Sequence, residues 1–107
     1  MYLSYMKIII SEDQEEKIKK VLEKNLSMYF SDLDSVCEFR VYINDPEDYQ
    51  LSDYRFDVYV VLKKSYVVRF NDVGKRNLSV KIIHKVSDFL KDNFPFKCYV
   101  GTYTEEC

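Results

Sequence analysis

Hydrophobic and polar residues alternate most cleanly over residues 54–62, Tyr-Arg-Phe-Asp-Val-Tyr-Val-Val-Leu. Phe56, Val58, Val60 and Leu62 fall on one side of a strand, and Arg55, Asp57, Tyr59 and Val61 on the other. Aromatic and β-branched residues suit such a pleated surface, so this stretch is expected to be a central strand with one oily face and one mixed face. The same period predicts a strand over 36–43, with Cys37, Phe39, Val41 and Ile43 inward and Glu38, Arg40 and Tyr42 outward. It predicts another over 96–103, with Phe96, Cys98 and Val100 inward and Lys97, Tyr99 and Tyr103 outward. A first strand is expected over 6–10, with Ile8 and Ile10 inward and Lys7 and Ile9 outward.

Two segments switch to the helical period. Ile18, Val21, Leu22, Leu26 and Tyr29 form one apolar stripe. Ser11 followed by Gln14 matches a capping box at its start. Glu and Asp precede Lys along this helix, as the helix dipole favours. Leu78, Ile82, Ile83, Val86, Phe89 and Leu90 form the second stripe, in a helix expected to begin between 75 and 78, with Asn77 as a candidate cap, and to stop before Pro95. Residues 44–53 read as a long acidic connection without the alternating ligands and central glycine of a calcium loop. The pattern leaves residues 66–70 open between a short extra strand and a loop.

The resulting order, β-α-β-β-α-β, resembles the ferredoxin-like arrangement. It implies an α+β domain over residues 1–107, with four antiparallel strands, or five if 66–70 also pairs, and two helices on one face. The resemblance is one of element order alone, and that arrangement hosts many unrelated functions. The expected core comprises Ile8, Ile10, Ile18, Val21, Leu22, Phe39, Val41, Phe56, Val58, Val60, Ile82, Val86, Phe89 and Leu90.

Composition narrows the function. At 107 residues the chain can bury a core without metal or disulfide staples. A net charge of -2 gives no overall basic field for nucleic acid or anionic membrane. No apolar run approaches the ~20 residues of a membrane span, and the N-terminus lacks a secretion signal, so a cytoplasmic setting, in the producing cell or a host cell, is the expectation. Cys37, Cys98 and Cys107 are odd in number and far apart, which predicts reduced thiols and no Cys-x-x-Cys site. Alanine is absent and Lys, Ile, Asn, Asp and Tyr are plentiful, as an AT-rich gene of a phage or other mobile element would produce.

No catalytic signature is present. His84 is the only histidine and falls on the helix face opposite Ile82, Val86 and Phe89, and both glycines stand alone. The expectation is therefore a non-enzymatic protein with no cofactor, no metal and no small-molecule substrate. The chemistry that remains lies on the outward sheet face: Tyr42, Tyr59 and Tyr99, flanked by Arg40, Arg55 and Lys97, with Asp57 and Glu38 interspersed. Tyrosine and arginine are enriched where interfaces carry their energy. A protein-binding or self-associating module follows, such as a phage structural component or an inhibitor of a host protein. Single-stranded nucleic acid stacking on the same tyrosines is the alternative.

Overall fold

The computed structural model describes residues 12–44 and 55–107. Its elements run α1 (Glu12–Tyr29), β1 (Val36–Ile43), β2 (Phe56–Lys63), α2 (Lys64–Val67), α3 (Asp72–Asn93) and β3 (Cys98–Glu105). The strand expected at 6–10, with Ile8 and Ile10 of the expected core, the Ser11 cap and the acidic connection lie outside the described residues.

The described strands form one three-stranded mixed sheet in the order β1-β2-β3. β1 and β2 are antiparallel, pairing Val41 with Val58 and Ile43 with Phe56. β3 runs parallel to β2, pairing Val58 with Val100 and Tyr59 with Gly101. This corrects the expected four- or five-stranded antiparallel sheet of ferredoxin-like order. The α3 crossover sets the direction of β3, and its direct pairing with β2 sets the strand order that departs from the expectation. A parallel neighbour needs a connection long enough to carry the chain back to the start of the sheet. The 22 residues of α3 span roughly 33 Å, more than the roughly 27 Å of an eight-residue strand. β3 therefore restarts at the end of the sheet where β2 begins, and it pairs with β2 directly. The fifth strand is also corrected: residues 64–67 form a single helical turn that ends in a bend, and Val67 closes over the core.

α1 lies against β1 and α3 against β3, on the same side of the sheet. Leu22, Leu26 and Phe30 recur every four residues along α1 and into the turn beyond it, and Ile82, Val86 and Leu90 do so along α3. That spacing keeps each set on one helix face. Between the helices and the sheet they meet Phe39, Val41, Phe56, Val58, Val60 and Leu62. Ile18 and Phe89, also expected in the core, are partly buried against it. Two residues of the first stripe are not core: Val21 is 58% exposed, and Tyr29 turns out to stack on Phe89 with ring centroids 4.3 Å apart. α3 starts earlier than its apolar stripe suggests, at Asp72, because the Asn71 side chain accepts the Gly74 N–H at 2.8 Å. It ends at Asn93, ahead of Pro95, as expected.

The thiols depart most from expectation. Cys37 and Cys107 form a disulfide, with Cα atoms 6.2 Å apart. The reason is a shift of register in β1: Val36 opposes Leu62 and Glu38 opposes Val61, so Cys37 is an extra residue between them. Val36 takes the inward place that simple alternation gives to Cys37. A bulge re-aims the inserted side chain, here toward the chain end. Glu105 still pairs with Lys63 of β2, so Cys107 reaches β1 by crossing the end of β2. The bond thus ties the two outer strands together across the middle one. Cys98 stays a thiol, and burial pushes its pKa up to about 12.

Candidate functional site

The face of the sheet away from the helices is organised in rows by the strand register. Tyr42, Asp57 and Tyr99 stand side by side across β1, β2 and β3. The next row is Arg40, Tyr59 and Gly101, and the next is Glu38, Val61 and Tyr103. Alternation along each strand therefore brings four tyrosines together.

Tyr59 is the hub. Its ring meets Tyr42 edge-on at 5.8 Å, Tyr99 edge-on at 6.1 Å and Tyr103 at a tilt at 5.5 Å between centroids. These are the separations and angles that aromatic quadrupoles favour. Gly101 makes the arrangement possible. A Cβ there would lie 3.1 Å from ring carbons of both Tyr59 and Tyr99. Close approach of side chains over the backbone is a position where glycine has a physical reason to sit. Burial, followed by the charge of Asp57, raises the Tyr59 pKa above the usual 10.0.

Arg40 clamps the cluster. From β1 it reaches across β2 to β3, donating from Nη1 and Nη2 to both carboxylate oxygens of Glu105 at 2.7 and 2.8 Å, and from Nη1 to the Tyr103 hydroxyl at 2.7 Å. Its Nε bonds to Glu38. The fork-to-carboxylate geometry fixes direction as well as distance. Arg40 holds the Glu105 carboxyl below its ordinary pKa and is itself raised by the same hydrogen bonds. The Tyr42 pKa is raised above the usual 10.0, chiefly by the Tyr103 hydroxyl and then by burial. Val61 points to this face yet is 0% exposed, since the clamp spans β2 at its level.

The expected site residues divide. Tyr42, Tyr59, Tyr99 and Arg40 are brought together, with Tyr42 47% and Tyr99 44% exposed. Lys97 is exposed at the entry to β3. Arg55 is not on the face. It is 4% exposed, its Nε and Nη2 donate to Glu15 of α1 at 3.1 and 2.9 Å, and it lies over the Phe96 ring. Arg55 lies just before β2 with its backbone still bonded to Asn44 and Lys97, and its side chain goes to the Glu15 carboxylate of α1 rather than to the tyrosine rows. Sequence reasoning placed Tyr103 on this face without including it in the site, and missed Gly101 and Glu105. For Gly101 the signal was available: a glycine amid Tyr99 and Tyr103 marks a close approach.

Outside this face, α1, α3 and the 94–96 turn border a groove of about 380 Å³ lined by Ile18, Val21, Leu22, Phe89, Phe94 and Phe96. Its wall is nearly all hydrocarbon. Binding sites for small substrates add a few convergent polar groups to fix orientation, and this groove has only Lys17, Asn25 and Asn93 at its border. The outer edge of β1 is guarded, since Glu23 of α1 accepts the Val41 N–H at 2.9 Å. Such blocking discourages pairing with a further strand. Among the described residues no helix is long and apolar enough to cross a membrane, and no group of His, Cys, Asp and Glu is placed to hold a metal. Comparison of the chain with protein-family models, curated proteins and solved structures found no match.

Proposed function

We propose that this chain is a non-enzymatic protein-interaction module that engages its partner through the tyrosine face of the sheet. The observation that carries this reading is the Tyr42–Tyr59–Tyr99–Tyr103 cluster, packed ring against ring and locked by Arg40, with its outer rings in water. Tyrosine gives a large amphipathic contact area with little side-chain entropy to lose. Here the rings are already ordered by one another, so less freedom remains to be lost on binding.

The charge on the face favours a protein over single-stranded nucleic acid. Arg40 is engaged by Glu38 and Glu105, and Arg55 is buried against Glu15. Backbone phosphates need several available cations, and binding through them weakens steeply as salt rises.

The test compares wild-type protein with Tyr59→Ala, by sedimentation for self-association and by capture of partners from the cells that make it. Tyr59→Ala should weaken association by roughly 2 kcal/mol, about thirtyfold, as hot-spot truncations do. Association unchanged in a folded Tyr59→Ala protein would place the interface elsewhere. Tight binding to an oligonucleotide that collapses between about 50 and 200 mM salt would favour nucleic acid instead.

A further inference from the structure

Asp57 has a setting that no other carboxylate on the described sheet shares. It is half-buried in the middle strand, between Tyr42 and Tyr99 in the same row and behind Tyr59 along β2. Its Oδ1 accepts one hydrogen bond, from Asn44 Nδ2 at 3.0 Å. Glu38 and Glu105, by contrast, are both taken up by Arg40. Among the described residues no cation stands within ion-pair distance of Asp57. Each carboxylate oxygen can accept two hydrogen bonds, so Asp57 keeps most of its capacity.

A half-buried carboxylate flanked by tyrosines has part of its hydration shell displaced, and a cation meeting its remaining acceptors gains from the lowered local dielectric. The aromatic faces nearby are electronegative and attract the same kind of group. Carboxylate and rings therefore select for one chemistry, a positive charge with apolar or planar surroundings. Arginine fits it better than lysine. Its guanidinium is planar, stacks on aromatic faces, and donates two parallel hydrogen bonds to a carboxylate.

Resting on the protein-interaction reading, we propose that the row Tyr42–Asp57–Tyr99 is the receptor for an arginine side chain of the partner protein. The partner's guanidinium donates to Asp57, and the tyrosine rings shield the pair from water. The Arg40 clamp sits beside this site and does not compete for it, because its own donors are engaged by Glu38, Glu105 and Tyr103. Asn44 orients the Asp57 carboxylate from the end of β1.

The test is an NMR titration of the isotope-labelled protein with the capped tripeptide acetyl-Gly-Arg-Gly-amide. The neutral isostere with citrulline in place of arginine serves as the comparison. Asp57→Asn removes the charge while keeping the oxygen that Asn44 contacts, and Tyr99→Ser removes an exposed ring. The arginine peptide should shift the amides of Tyr42, Asp57, Tyr59 and Tyr99. The citrulline peptide and the Asp57→Asn protein should each bind at least tenfold more weakly, and Tyr99→Ser severalfold more weakly. Equal binding of the citrulline peptide, or shifts that persist in Asp57→Asn or spread over the acidic surface of α1, would overturn the arginine site. If Tyr59→Ala loses association with the partner while Asp57→Asn keeps it, the tyrosine interface stands and the arginine site falls. If both keep it, both readings fall.

Discussion

On the helix-covered face of the sheet, Phe39 and Phe56 are sealed away from water; on the open face, Tyr42 and Tyr99 remain almost half in it. Both faces are rich in aromatic rings, and the difference lies in what holds them. The inner rings are held by volume. Phe56 touches Phe94 and Phe96, Phe30 packs on Phe39 and Phe89, and aliphatic side chains from both helices fill the gaps. The outer rings are held by each other, by the Arg40 hydrogen bonds and by the space Gly101 leaves. Aromatic content alone therefore does not distinguish core from surface. A tyrosine hydroxyl with a partner at the water boundary can be kept ordered without a covering layer.

The sharpest way to break this comparison is to truncate one ring on the inner face. Phe56→Ala should cost about 3–5 kcal/mol, because Phe56 is fully buried and its neighbours relax only partly into the space. Chemical denaturation measures this. A loss below about 1 kcal/mol would mean that the two faces carry similar weight in folding.

The disulfide ranks next. Closing a loop across a sequence separation of 70 is worth roughly 4 kcal/mol in the chain-entropy account. Reductant, or Cys107→Ser, should therefore lower the melting temperature of the oxidised protein. The reduced protein should retain its inner core, seen as protected amides of Val58 and Val60 in hydrogen exchange. A melting temperature indifferent to reductant would show that the outer strands are tied without the bond.

Gly101→Val addresses the outer face alone. Valine favours strands intrinsically, yet its Cβ would meet the Tyr59 and Tyr99 rings at 3.1 Å, so a net loss of about 1–2 kcal/mol is expected from crowding. Near-ultraviolet circular dichroism should report the displaced tyrosines. A stabilised variant would show that the rings are loosely placed.

The smallest effect is that of pH on the clamp. Arg40 lowers the Glu105 pKa in the folded protein, so the stabilisation is present above the ordinary glutamate pKa and is lost as pH falls through the lower folded value. The melting-temperature difference between wild type and Glu105→Gln should accordingly be seen at neutral pH and shrink steadily as the pH is lowered below the ordinary glutamate value. A difference that persists in acid would assign it to packing over Val61 rather than to charge.

Much of this molecule follows from its sequence alone. The period-2 pattern placed the inward set Phe39, Val41, Phe56, Val58 and Val60 and the outward set Tyr42, Tyr59 and Tyr99, since a side chain's face depends only on its own strand. The four-residue recurrence placed Leu22, Leu26, Ile82, Val86 and Leu90 for the same local reason. What the pattern could not determine is which elements become neighbours. Val100 and Thr102 could pair with either edge of a sheet, and only the path of α3 sets β3 parallel to β2. The Cys37–Cys107 bond needs both that path and the extra residue in β1, two features with no short-range signature. Arg55 turned to Glu15 because a helix carboxylate stood within reach, and Arg40 turned to Glu105 because β3 lay one strand away. Local sequence sets the direction of a side chain, whereas the charges and rings it meets are set by the packing of segments far apart in the chain.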